Sequence, residues 1–182
     1  MVMTRAARPV DKVVQFRHAE TISRFCDTFY IAKPEAAKIF ADLMRWMWMM
    51  GTQPRAAKIP PVPVIDEMWH TFLVFTKDYT AFSQKYFGQF VHHVPIPSTT
   101  KRRDQKRAAH DPAAAKEKVR NQLLRRISTV WDILGEGVAL RWYVTYAQRY
   151  DETFLLHRRS KHRHAPEIPA SLVERAAQFE RD

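Results

Sequence analysis

The stretch "VIDEMWHTFLVFTKDYTAFSQKYF", Val64 to Phe87, decides the fold class. Its apolar side chains Ile65, Met68, Phe72, Phe75, Tyr79, Phe82 and Tyr86 follow one another at steps of three and four. That is the repeat of one face of an α-helix, where a half-buried strand would alternate strictly. The stripe reads as core. Only 4 glycines occur in 182 residues, and helical spacing recurs on both sides of this stretch. The expected architecture is therefore all-α: a compact bundle of about five helices with proline-marked connections and a basic C-terminal tail.

Upstream, "KIPPVPV" from Lys58 to Val64 is expected to be extended, because each proline restricts its predecessor and removes an amide donor. Before it, a helix beginning near Pro34 carries Ala36, Ile39, Phe40, Leu43, Met44 and Met47 on one stripe. The cluster "WMWMM", Trp46 to Met50, is apolar all around that helix and predicts burial against two neighbours. A first helix spans Val10 to Tyr30. Downstream, "QFVHHVPIP" after Gly88 reads as extended, and "STTKRRDQKRAAHDP" as an exposed basic loop over 97–111. Asp111 and Pro112 make a cap and first turn for a helix to about Leu134, with apolar positions Val119, Leu123, Leu124, Ile127, Val130, Trp131 and Leu134. Gly135 and Gly137 break it, and a last core helix holds Val138, Leu140, Trp142, Tyr143, Tyr146 and Phe154. Residues 1–156 are expected to form one domain, and 157–182 a basic tail with a short peripheral helix.

With 46% hydrophobic and 12% aromatic residues the chain can bury a sizeable core. Its single cysteine, Cys26, has no partner for an internal disulfide, so a reducing, cytoplasmic setting is expected. No apolar run has the length of a secretory signal or a bilayer span. Lys plus Arg outnumber Asp plus Glu by 30 to 19, and the net charge of +11 favours nucleic acid, an anionic membrane surface or an acidic protein as partner without choosing among them. The excess concentrates in two segments, at Lys101, Arg102, Arg103, Lys106 and Arg107 and at Arg158, Arg159, Lys161 and Arg163. These are the candidate polyanion-binding residues, able to neutralise charge without reading sequence.

On a helix Asp66 and His70 are four apart and Glu67 and His70 three apart, so all three are neighbours. That is the geometry of a Glu-x-x-His half-site in helical metal proteins. The first reading is structural. Asp66 caps the helix start, His70 hydrogen-bonds the returning "VHHVP" backbone, and Asp66, Trp69, His70, His92 and His93 form one linked cluster. In the metal reading, Asp66, Glu67, His70, His92 and His93 hold an ion. A second Glu-x-x-His is missing from the sequence, so no cofactor is expected. The sequence also lacks a glycine-rich phosphate loop, a Cys-x-x-Cys pair and a nucleophile elbow.

Asp66, Trp69, His70, Tyr79, Phe87, Gly88, His92, His93 and Pro95 follow a D-x-x-W-H, Tyr, Phe-Gly, His-His-x-Pro order. In this the chain resembles the bacterial members of the glycine-rich-domain-containing-protein-like family. Leu134, Gly135 and Trp142 resemble that family's closing turn and helix, and the resemblance covers roughly Pro60 to Tyr143. The "KRRDQKR" segment is longer and more basic than the resemblance implies, and no glycine-rich domain follows. The family implies a fold and marks residues, without naming a reaction. The expected function is a non-enzymatic interaction module binding an acidic protein partner. A sequence-indifferent nucleic-acid binder comes second and a metal-dependent enzyme third.

Overall fold

The computed structural model describes residues 9–94 and 97–161. They form nine helices and, among the described residues, no strand. The helices are α1 (Val10–Val14), α2 (Ala19–Phe29), α3 (Lys33–Thr52), α4 (Pro63–Leu73), α5 (Thr76–Phe87), α6 (Ser98–His110) and α7 (Pro112–Leu134). After these, Glu136–Leu140, Arg141–Thr145 and Tyr146–Arg149 run on as one helix, α8, whose middle section is π-helical. The helix α9 is Glu152–Lys161, and a 3₁₀ turn, Pro54–Ala56, follows α3. None of the described helices is long and apolar enough to cross a membrane.

The count exceeds the expected five by four: two long apolar stripes are broken by tertiary packing, Ser98–His110 is helical, and the last expected helix is interrupted between Arg149 and Glu152. The stretch Val10 to Tyr30 splits where Phe16 leaves the helix to stand among four other rings. Its centroid lies 4.6 Å from Phe82, 5.9 Å from Tyr86, 6.0 Å from Phe72 and 6.1 Å from Phe40. His18 then restarts the chain as the N-cap of α2, its Nδ1 accepting the Thr21 amide at 3.1 Å. Because that nitrogen accepts, the proton sits on Nε2, which donates to Asp78 Oδ2 at 3.2 Å. The stripe from Ile65 to Tyr86 bends at Val74 and Phe75. As one helix it would be roughly 33 Å long and would carry Tyr79 and Phe82 away from Phe72. Folded back, it sets Tyr79 and Phe82 against Phe72, at 5.2 and 5.6 Å.

The centre of the bundle is α3, which packs on α1, α2 and α4. All six residues of its expected stripe are buried, together with Trp46 and Met49. The Trp46 indole donates to Ile59 O at 3.1 Å and so pins the proline-rich segment beside α3. Pro63 serves as the first residue of α4, a position whose amide needs no partner, so the extended stretch ends at Val62.

The carboxylate of Asp42, wholly buried on α3, also decides the architecture. Its Oδ1 accepts from Arg45 Nη1 at 2.8 Å and Arg141 Nη2 at 2.7 Å. Its Oδ2 accepts from Arg141 Nε at 2.7 Å and the Tyr146 hydroxyl at 2.8 Å. Arg141 and Tyr146 are five residues apart, which on a regular α-helix turns them about 140° from each other. The π turn across Arg141–Thr145, with its i→i+5 bonding, brings both onto the face that meets Asp42.

One expectation is corrected before α8. Segment 97–111 is not a loop: Ser98–His110 is a helix without a single buried residue, packed on α7. The apolar positions of α7 are mostly not core. Val130 alone is fully buried, while Val119, Leu123, Leu124 and Trp131 are 64%, 43%, 53% and 43% exposed. Asp111 does cap α7, accepting the Ala114 amide at 3.0 Å. Helices α6 and α7 thus form a hairpin whose outer part stands off the bundle. Of the expected tail, residues 157–161 continue α9, which packs on α2, and 162–182 lie outside the described residues.

Removing one partner of a buried, fully hydrogen-bonded ion pair typically costs about 3–5 kcal/mol. Asp42→Ala is expected to lower the free energy of unfolding by that order in urea denaturation followed by circular dichroism. Burial also raises the pKa of three tyrosines on α8 and just after it. Tyr143 is pushed up to about 12, and Tyr146 and Tyr150 stand above the ordinary value as well, Tyr146 with a further contribution from Asp42. Above pH ~10 the unfolded chain loses these protons while the folded one keeps them, so stability is full below that pH and falls as pH rises. The urea midpoint is expected to drop between pH ~9 and ~11, more steeply than in Tyr146→Phe.

Candidate functional site

The histidine and carboxylate cluster lies where the start of α4 meets the chain returning after α5. Asp66 and Glu67 sit near the amino end of α4, where the helix dipole favours negative charge. Trp69, 5% exposed, turns inward, and its Nε1 donates to the Tyr79 hydroxyl at 3.0 Å. That hydroxyl donates in turn to Val91 O at 2.6 Å. Burial raises the Tyr79 pKa, so the phenol stays protonated and keeps this donor in place. The tie to the returning backbone expected of His70 is therefore made by Tyr79.

Held at Val91, the chain carries His93 back over α4. Its Nε2 lies 3.1 Å from Asp66 Oδ1, and its ring centroid lies 4.4 Å from those of both Trp69 and His70. His70 Nδ1 is 3.9 Å from Asp66 Oδ2 and 3.9 Å from Glu67 Oε2, beyond hydrogen-bonding range. That nitrogen is buried without a hydrogen-bond partner. One ligand atom each from Asp66, His70 and His93 lies within 4.8 Å of the other two. Of the expected cluster, Asp66, Trp69, His70 and His93 come together with Glu67 beside them. His92 does not join them: it is exposed and packs on Phe90 at 4.8 Å.

The second constellation is the basic hairpin. Lys101, Arg102, Arg103, Lys106 and Arg107 all lie on α6, all are exposed, and none has an ion-pair partner among the described residues. A cleft of about 600 Å³ runs between α6 and α7 past Lys106, His110, Lys118 and Val119. On α7, Lys116, Arg120, Leu124, Ile127 and Trp131 follow at steps of four, four, three and four and so share one face. At the hairpin's base a second cleft of about 260 Å³ is bounded by Val62, Leu123, Arg126, Trp142 and Tyr143. The Trp142 indole nitrogen and the Tyr143 hydroxyl are buried without hydrogen-bond partners.

The second group of predicted cations is dispersed. Arg158 stacks over the Tyr30 and Phe154 rings, at 5.4 and 5.3 Å, and is engaged in the fold. Arg159 and Lys161 lie on the last turn of α9, and Arg163 is outside the described residues. The sequence reading missed Asp42, although a carboxylate between Ala41 and Leu43 on an apolar helix is itself a signal of a buried partner.

No curated protein and no solved structure matches the chain. A family model described as UCP032817-like matches residues 14–134, from the end of α1 through α7, so it spans both constellations. The family found is an uncharacterised one, and nothing in the match attaches the glycine-rich-domain-containing-protein-like name to it. The chain belongs to the UCP032817-like family.

Proposed function

We propose that this protein is an interaction module that binds an acidic, amphipathic segment of a partner protein along the α6–α7 hairpin. The observation that carries this reading is the mixed stripe on α7, where Lys116 and Arg120 share a face with Leu124, Ile127 and Trp131. Cations alone serve any polyanion. Half-exposed Leu124 and Trp131 beside them suit a partner that brings apolar side chains as well as carboxylates. Tryptophan and arginine are also the residues that most often dominate the energy of protein interfaces. The unpaired cations of α6 add long-range attraction, which raises the rate of encounter more than the final affinity.

Nucleic acid is the second reading, supported by the same charges. It differs in using phosphate contacts that gain nothing from Leu124 or Trp131 on a duplex. Fluorescence anisotropy with a synthetic amphipathic glutamate and leucine peptide and with a random DNA duplex separates the two. The peptide is expected to bind more tightly at physiological salt. Trp131→Ser and Arg120→Glu are each expected to weaken it roughly 10-fold or more, about 1.4 kcal/mol, with the helical spectrum unchanged. Tighter binding to the duplex, with Trp131→Ser neutral and affinity collapsing as salt rises, would transfer the conclusion to nucleic acid.

A further inference from the structure

We infer that Asp66, His70 and His93 form a binding site for a single first-row divalent cation of the zinc class. It is independent of the hairpin reading and rests on different residues. Three observations converge on it.

The first is the donor set. Two imidazole nitrogens and a carboxylate oxygen approach one another within 4.8 Å from two separate segments, α4 and the return after α5. Zinc binds nitrogen and carboxylate ligands at about 2.0–2.2 Å, which sets the ligand atoms of a tetrahedral site about 3.4 Å apart. The edge between His93 Nε2 and Asp66 Oδ1, at 3.1 Å, already has nearly that length. His70 Nδ1 lies 3.9 Å from the other oxygen of the same carboxylate, Asp66 Oδ2, and a small side-chain rotation brings both imidazoles to one ion. Both residues have room for it, since the side chains of His70 and Asp66 are 41% and 35% exposed.

The second observation is the state of His70 Nδ1. A buried ring nitrogen without a hydrogen-bond partner forfeits interactions it would make in water. Two carboxylate oxygens, Asp66 Oδ2 and Glu67 Oε2, each lie 3.9 Å from it. A divalent cation among these atoms gives the nitrogen lone pair a partner and balances the two acidic side chains together. The cation stands between His93 Nε2 and Asp66 Oδ1, which already face each other at 3.1 Å.

The third is that the ring of His93 is held before any ion arrives. Its centroid lies 4.4 Å from that of Trp69, which is itself fixed by the hydrogen bond to Tyr79 that also anchors Val91. Preorganisation of this kind separates a site from a chance meeting of side chains. Imidazole with carboxylate suits zinc and its neighbours, whereas magnesium and calcium require oxygen ligands throughout. The exposed side of the cluster leaves the remaining coordination position open to water.

Chelator-stripped full-length protein is titrated with Zn²⁺ by isothermal calorimetry, and with Co²⁺ while its visible absorption is followed. One ion per chain is expected, with a Co²⁺ spectrum typical of low-coordinate nitrogen and oxygen ligation. His70→Ala and His93→Gln are expected to weaken Zn²⁺ binding at least 100-fold, and the near-isosteric Asp66→Asn at least 10-fold. His92→Ala, in the adjacent but outward-facing histidine, is expected to bind as wild type. Circular dichroism of each variant establishes that it is folded, and the Co²⁺ spectrum tests the wild type without any substitution. Absence of stoichiometric binding overturns the proposal. So does wild-type affinity in folded His70→Ala and His93→Gln, or an equal loss in His92→Ala.

Discussion

A carboxylate with no access to water holds the second half of this molecule against the first. Asp42 accepts four hydrogen bonds from three side chains, and two of those side chains belong to α8, about a hundred residues further along the chain. Desolvating a charge is costly, and the cost is offset only when its oxygens are fully used by well-placed donors. The bidentate Arg141 fork and the Tyr146 hydroxyl meet that condition, and the π turn in α8 is the backbone rearrangement that lets both reach. The position of α8 then sets that of α7, since the two join at Gly135, whose φ of 89° is open to glycine and strained for other residues. The direction of the basic hairpin follows from a charge buried on the opposite side of the sequence.

A second constraint acts on the first half. The return after α5 has little regular structure of its own, and its position is fixed through side chains. Trp69 donates to Tyr79, and Tyr79 donates to Val91 O, so two buried aromatic residues make a hydrogen-bonded bridge from α4 through α5 to the returning backbone. Trp46 extends the same network, with its ring 4.8 Å from Trp69 and its indole on Ile59 O. The proline-rich lead-in to α4 and the histidine segment after α5 are thus tied to one framework.

The two constellations differ in how they relate to that framework. The Asp66, His70 and His93 cluster is placed by it directly, because the ring of His93 packs on buried Trp69. The hairpin carries cations on α7 and on α6, a helix with no buried residue, so it acts through charge and through the apolar side chains that its standing away from the bundle leaves uncovered. A net charge of +11 has a spatial meaning only because those cations are gathered on one projecting element.

The sequence by itself determined that the chain is helical, because three-and-four spacing over Ile65 to Tyr86 and over Ala36 to Met47 has no other reading. It also determined the Asp111 cap, the role of the prolines and the nearness of Asp66, Glu67 and His70, since these are local and follow from helix geometry. Tertiary structure alone decided where the long stripes break, because bending at Phe75 or leaving the helix at Phe16 is worthwhile only once a shared aromatic core exists to receive both sides. It likewise decided that His93 reaches Asp66 and His92 does not. In an extended segment adjacent side chains point to opposite sides, and which side faces α4 depends on the hydrogen bond from Tyr79 to Val91. The exposure of α7 was illegible for the same reason. An apolar stripe such as Val119 to Trp131 states what a helix is able to bury, and only the placement of its neighbours determines what it does bury.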